Sequence, residues 1–562
     1  MRIHGKWLAT TAILTLGFAF PQSAALHAQG AVAISGQVSS QEEGAMEGVL
    51  VSARKSGASF TVTVVSDEKG HYAFPAARLE PGHYTLTIRA GGYEPSGALA
   101  ADVVTDKPAS TDIKLQKITN PKKLASTLSN GEWITSVPGS EQQKMTLTNC
   151  VSCHTVERIM RSTHDENEFE HMVLPRMGRY ANQSMPIHPQ VRQAERLLEE
   201  RGDQRNQARA AMAQFLAGIN LSNSDSWTYE LKTLPRPKGR ATHVIITEYD
   251  LPRPTAEPHD VIVDRQGNAW YSNFGEQTFG KLDPKTGKVT EYPVPEQKKG
   301  WPTGMLGLRP DKDGNMWIGM MYQGAMAKFD PKAEKFQIFN LPPEMNKDMA
   351  QVNMVRAESI GVDGKVWSQN NGFAAVHRLD VASGNIETIA PFKNAGVGEN
   401  HNIYDIIPDA KNNVYFTDIA ADYIGRIDAK TAEVKLYPLP TKPAGPRRGM
   451  MDAGERVWFG EYRGNKIGMF DTKEETFKEW KMPTAWTLPY DVVVDKNGEA
   501  WTGSMLNDLV DRLDPKSGQV VEYLLPQETN IRRVFVDNST NPVTFWVGNN
   551  HRASIVKLEP LD

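Results

Sequence analysis

Residues 243–562 repeat themselves about every 46 residues, and this period constrains the fold more than any other feature of the 562-residue chain. Aligned on the aromatic residue that closes one apolar run, the repeats fall at Trp270, Trp317, Trp367, Tyr415, Trp458, Trp501 and Trp546, with spacings of 43 to 50 residues. A unit of that size holds four short strands. Its second half carries a common phrase, seen as DPKTGKVTEYPVP at 283–295, DAKTAEVKLYPLP at 428–440 and DPKSGQVVEYLLP at 514–526. The Asp-Pro-Lys-Thr-Gly turn and its relatives join two strands in a hairpin, and the closing proline marks a sheet edge. The last repeat lacks its fourth strand, whereas THVIITEYDLP at 242–252 is an orphan copy of that strand. Pairing the two closes a ring of seven units and removes the open edges of a linear array. The expectation is a seven-bladed β-propeller over 242–562.

The residues ahead of the repeat differ from it and from each other. Residues 1–28 place Arg2 and Lys6 before an apolar run at 7–20 and end on small residues, Ala24, Ala25 and Ala28, as a cleaved secretory signal does. That run is shorter than the roughly 20 residues needed to cross a bilayer. A periplasmic or secreted protein with no transmembrane segment in its mature chain is expected. Residues 31–117 alternate apolar and polar side chains between turn residues, the pattern of a small antiparallel β-sandwich. Residues 118–225 turn polar and rich in Ala, Arg, Glu and Gln, with helical spacing in AERLLEERGDQRNQARAAMAQFLAGI and a Gly-Ile-Asn stop. An all-α domain is expected there, within a multidomain, mainly β chain. The net charge of −4 shows no basic excess, so nucleic acid is not expected as a partner.

The chain holds two cysteines, and both lie in Cys150-Val151-Ser152-Cys153-His154. Two thiols three residues apart reach the two vinyl groups of a haem, and the next residue offers an imidazole to the iron, so one covalent c-type haem is expected. Zinc would need two further ligands, and a redox dithiol would sit in a βα context. Met185, in a loop before Pro186, is the expected sixth ligand, with Met177 as runner-up; Met172 and Met177 lie in a helical stretch, where a methionine is more often core. His154 and Met185 would thus hold the iron. A periplasmic redox partner follows from such a group.

In a propeller the loops entering each first strand and the ends of each second strand share one mouth. Reading both rings collects His259-Asp260, Ala357-Glu358, Tyr404-Asp405, Arg447-Arg448, Tyr490-Asp491 and Arg532-Arg533 with Asn273, Asn370, Asp418, Glu461, Ser504 and Asn549, and His401 nearby. Trp301, Trp486, Tyr322 and Tyr462 are candidates to wall the mouth. Convergent polar groups within an aromatic rim suit a small-molecule ligand, whereas mutual ion pairing would make them structural. His401, Asp418 and Glu461 are the candidate catalytic residues.

Three resemblances follow from these phrases. Ser66-Asp67-Glu68-Lys69-Gly70-His71-Tyr72 and Leu79-Glu80-Pro81-Gly82-His83-Tyr84 make the first module resemble the carboxypeptidase regulatory-like, transthyretin-like domain, which implies a spacer or carbohydrate-binding role. The second module, with its Cys-x-x-Cys-His and its terminal helix, resembles a class I cytochrome c domain. Trp458-Phe459-Gly460-Glu461-Tyr462-Arg463-Gly464-Asn465-Lys466-Ile467-Gly468 and the turn phrases make the repeat resemble virginiamycin B (streptogramin) lyases. That family uses a mouth histidine and metal-binding glutamates with Mg²⁺ to open an antibiotic ester ring by elimination. Glu461 fits one such glutamate, but Gly445-Pro446-Arg447-Arg448 stands where the family has a Glu-x-His arrangement, which leaves His401 or His259 as substitute bases. The combined expectation is an electron-transfer or oxidoreductase protein, with a divalent-cation-dependent lyase or a non-catalytic binding protein as alternatives.

Overall fold

The computed structural model describes residue 1 and residues 31–152, 154–177, 206–222, 227–299, 301, 303–393 and 400–562. The signal segment at 2–30, Cys153 and Met185 lie outside the described residues. Six four-stranded antiparallel sheets follow one another from Pro258–Val263 to Val520–Leu524, and each is a propeller blade. We number them 1 to 6. Blade 7 takes three strands from the C-terminal end, Val534–Asp537, Thr544–Asn549 and Ser554–Pro560, and its fourth from Val244–Asp250. That closing pair runs in unbroken register from Val244 opposite Pro560 to Asp250 opposite Ser554.

The repeat has a physical cause. Trp270, Trp317, Trp458 and Trp501 each donate their indole N–H to an aspartate six residues upstream, namely Asp264, Asp311, Asp452 and Asp495, at 2.8 to 3.1 Å. The same aspartates accept backbone N–H bonds in the turn between the first two strands, so one carboxylate fixes both turn and anchor. Across the next strand a cation covers the indole face, as with Lys281 over Trp270 at 5.2 Å and Arg512 over Trp501 at 5.1 Å.

The sandwich is not set apart from the ring. Strand Phe60–Val65 pairs with the outer side of Val244–Asp250, from Phe60 opposite Tyr249 to Val64 opposite Ile245. One sheet therefore runs from blade 7 through the closing strand into four sandwich strands, eight in all. A strand in that position has no solvent face to spare, and six of the seven residues of VIITEYD are buried. The second sandwich sheet, built on Val32–Ser40, packs over it through Ile34, Val38, Phe74 and Ile113.

The all-α cytochrome c domain expected over 118–225 is corrected. The chain is mainly β, and its described helices in that region are few and mostly short: Pro121–Ala125, Asn130–Ser136, Glu141–Leu147 and Val156–Met160 run for one or two turns, a single helical run covers 166–177 with a π-helical stretch at Phe169–Val173, and Asn206–Ile219 is the longest. Nor do they close a core of their own. Trp133, Ile134, Val151, Phe169 and Leu216 share one apolar cluster with Tyr462, Trp486, Leu488, Tyr490, Met505 and Leu506 of the propeller. The periodicity of Ala, Glu, Gln and Arg specified helix but not what it packs on; the segment is a helical layer whose core is completed by blades 5 and 6. Met172 and Met177, read as core-like, are 47% and 38% exposed.

Candidate functional site: the covered propeller mouth

Five of the seven blades carry a β-bulge in the first strand, between Pro258 and Val261, Met305 and Leu308, Ile403 and Asp405, Pro446 and Gly449, and Pro489 and Val492. Regular alternation would send adjacent residues to opposite faces; a bulge re-aims them. The doublets His259-Asp260, Tyr404-Asp405, Arg447-Arg448 and Tyr490-Asp491 sit at these bulges, and their contacts fall into two layers.

The lower layer is an ion-pair ring. Arg448 holds Asp260 with two bonds of 2.6 and 2.7 Å, and neither side chain has any exposure. Arg356 donates to Asp405 at 2.6 Å and to Glu358 at 3.0 Å, Arg533 pairs with Asp491, and Arg309 reaches Glu358 at 3.4 Å and Asp260 at 3.5 Å. Burial alone would raise the pKa of Asp260, yet Arg448 and His259 hold it well below the usual carboxylate range. Asp260, Asp405, Asp491, Arg448 and Arg533 are thus structural. Arg309 and Arg356 were missed by sequence reasoning; the available signal was a lone arginine in an apolar first strand, MLGLRP and MVRA.

The ring of second-strand ends divides. Asn273 accepts the Glu257 N–H, Asn370 the Gln351 N–H and Asp418 the Asn402 N–H, all at 2.9 Å, so these side chains cap the loop entering their own blade. Asp418 does more: its second oxygen bonds His401 Nδ1 at 2.6 Å, and Nε2 is buried without a partner among the described residues. Phe392 stacks on the imidazole at 3.7 Å. Glu461 departs from the capping pattern. It is fully buried, and burial beside the Glu479 carboxylate pushes its pKa up to about 8. His259 is likewise buried; its pKa is depressed to about 4 by burial, and it bonds Asp260 at 2.9 Å. His401 with Asp418 and Glu461 with Glu479 lie in neighbouring blades, 4 and 5, without a bond between them among the described residues.

The upper layer meets the helical segment. Helix Asn130–Ser136 lies so close to the loop after blade 6's second strand that a Cβ on Gly131 would stand 1.6 Å from Asn507 Oδ1, and the Gly131 N–H donates to Leu506 O at 2.8 Å. The cysteine loop is clasped in turn. Val151 O accepts from Asn530 Nδ2 at 3.3 Å and His551 Nε2 at 3.1 Å, and Ser152 O from Arg532 at 3.0 Å. Cys150 is buried beneath it. His154 donates Nδ1–H to Thr155 O at 2.8 Å, which leaves Nε2 with its lone pair, and burial lowers its pKa, favouring the neutral imidazole. Trp486 and Tyr462, expected to wall an open mouth, belong to this covered cluster, whereas Tyr322 joins a separate cluster across blades 1 to 4, with Trp301 packed beside it.

The donor chemistry suits the two expected cofactors unequally. A neutral histidine oriented by its own backbone, beside a buried cysteine, fits haem attachment. Among the described residues no three His, Cys, Asp or Glu side chains stand together to hold a metal ion, and Arg447 and Arg448 stand where the lyase family has its Glu-x-His arrangement. No described helix is long and apolar enough to cross a membrane.

Comparison with known proteins agrees with the architecture. Residues 299–560 match the Virginiamycin B lyase family and residues 33–116 the Carboxypeptidase regulatory-like domain. No curated protein is significantly similar to the chain. Among solved structures, a catalytically inactive virginiamycin B lyase from Staphylococcus aureus with Quinupristin is 20% identical over 56% of this chain and 99% of its own, with a TM-score of 0.49. A streptogramin B lyase is 22% identical over 57% and 99%, with a TM-score of 0.49. The extracellular domain of a hybrid two-component system from B. thetaiotaomicron is 15% identical over 55% and 40%, with a TM-score of 0.43. The chain therefore carries a virginiamycin B lyase-like propeller domain and a carboxypeptidase regulatory-like N-terminal domain.

Proposed function

We propose that the protein is an exported redox protein in which the lyase-like propeller seats one covalent haem on the Cys150–His154 loop and exchanges electrons with a small molecule or a periplasmic partner. The observation that carries this reading is the clasp: propeller side chains Asn530, Arg532 and His551 bind the backbone of the one segment that holds both cysteines. Cys150, Cys153 and His154 would hold the group, with Met185 as the sixth ligand, and it would supply one-electron chemistry. The chain's own contributions are positional. Thr155 O orients the His154 ring, and Cys150 and Val151 are buried in the cluster with Trp133, Trp486 and Tyr490. Full-length protein made with haem-maturation machinery should give an alkaline haemochrome spectrum that is lost in Cys150→Ala; a colourless wild type would end this reading.

A second reading, elimination of the streptogramin-lyase kind, is supported by the family match and by the His401–Asp418 pair, whose open Nε2 is placed as a base. Ring opening of a cyclic depsipeptide such as quinupristin, lost in His401→Ala, would establish it, and its loss in EDTA would show that it depends on a divalent cation.

A further inference from the structure

Arg447 differs from the arginines of the ion-pair ring. Arg356, Arg448 and Arg533 each pair with an aspartate, but among the described residues no carboxylate meets Arg447. Its guanidinium lies instead in a box of three tyrosine rings, 3.8 Å from the centroid of Tyr462, 4.6 Å from Tyr490 and 5.3 Å from Tyr404. One terminal nitrogen touches Met505 Sδ at 3.8 Å, and Nε is buried without a partner. Arg532 lies over the same Tyr490 ring at 6.0 Å and spends its hydrogen bonds on Asn530 and on Ser152 O of the cysteine loop. Two cations thus sit under the helical layer with π faces and amide oxygens around them and no anion. Tyrosine faces stabilise a guanidinium, but they leave its planar donor fork open, and that fork matches a carboxylate.

We propose that Arg447 is a carboxylate-binding residue at the propeller mouth, and that the carboxylate it takes is a propionate of the porphyrin carried on the Cys150–His154 loop. This rests on the redox reading above. A porphyrin side chain is favoured over a free anion because Arg532, over the same Tyr490 ring as Arg447, holds Ser152 O, which sets the box beside the loop that carries the cysteines. Arg447 stands where the lyase family has its Glu-x-His arrangement. The loop that serves elimination there would here supply the counter-charge of a redox group.

The test uses full-length protein matured with haem, as wild type, Arg447→Gln and Arg447→Lys. Arg447→Gln should keep its haemochrome while its midpoint potential falls, because removing a positive charge favours the ferric state. A tenfold change in the reduced-to-oxidised ratio would appear as about 59 mV for one electron, and Arg447→Lys should retain most of the wild-type value. A carboxylate held by the guanidinium stays ionised between about pH 5 and 8, whereas one released in Arg447→Gln can titrate there, so the midpoint of Arg447→Gln should fall more steeply with rising pH than that of the wild type or of Arg447→Lys. An unchanged midpoint in Arg447→Gln, or a pH dependence the same as the wild type's, overturns the proposal while the haem reading stands. Absence of a haemochrome from the wild type is the separate failure of the redox reading.

Discussion

Neutralising Asp260 tests whether the channel ring is scaffold rather than site. The ring sets three buried carboxylates, Asp260, Asp405 and Asp491, and the partly exposed Glu358 against Arg309, Arg356, Arg448 and Arg533. Asp260→Asn preserves shape and leaves the ring one positive charge in excess. Asp260 is the bidentate partner of Arg448, which has no exposure through which water could compensate, and it also accepts the Leu308 N–H at 3.0 Å. Removing one partner of a buried pair costs about 3 to 5 kcal/mol, roughly two to three and a half orders of magnitude in the folding equilibrium. Urea unfolding followed by tryptophan fluorescence suits the measurement, because six of the seven blades carry an anchor tryptophan. The midpoint should drop sharply in Asp260→Asn and recover in the double variant Asp260→Asn/Arg448→Met, since replacing a buried pair with apolar groups is often neutral or stabilising. A single variant within about 0.5 kcal/mol of wild type, the range of an ordinary surface substitution, or a double variant no better than the single, would refute the reasoning.

Two further outcomes are expected. Glu461, at about 8 in the fold, keeps a proton that the unfolded chain has lost above about pH 4.5; stability should therefore fall as pH rises between those values and level off beyond. Glu461→Gln should flatten that slope and gain up to about 4 kcal/mol at pH 8, read from unfolding midpoints across pH; an unaltered slope would count against it. Deleting residues 31–117 should uncover the outer edge of Val244–Asp250, an apolar strand, and light scattering should report self-association; a monomeric truncation would argue that the edge is protected some other way.

What could be seen in the sequence was what recurs. Asp264 and Trp270, Asp311 and Trp317, Asp452 and Trp458, and Asp495 and Trp501 share one spacing because one hydrogen bond fixes it, and the orphan strand at 244–250 was recognisable as the missing copy. The site was visible only as doublets such as His259-Asp260 and Arg447-Arg448, since a bulge leaves no mark beyond two adjacent polar residues in an apolar strand. Which member pairs inward and which faces the helical layer depends on partners in other blades, as Arg448 with Asp260 shows. The placement of the helical segment was illegible for a similar reason. Trp133 and Val151 look like ordinary helix-core residues, and their contacts with Trp486, Tyr490 and Met505 lie more than 300 residues away.

The closing strand also dictates an order of assembly. Its pairing with Ser554–Pro560 spans about 300 residues, so the ring cannot shut while a ribosome or a secretion channel still holds the final blade. Its other neighbour, Phe60–Val65, emerges nearly 500 residues before Pro560. The sandwich can therefore hold one edge of Val244–Asp250 throughout synthesis, keeping a sticky segment occupied until its last partner arrives. Loss of the seven residues 554–560 would cost more than one strand: it would leave blade 7 open at a late stage, with the rest of the propeller already built.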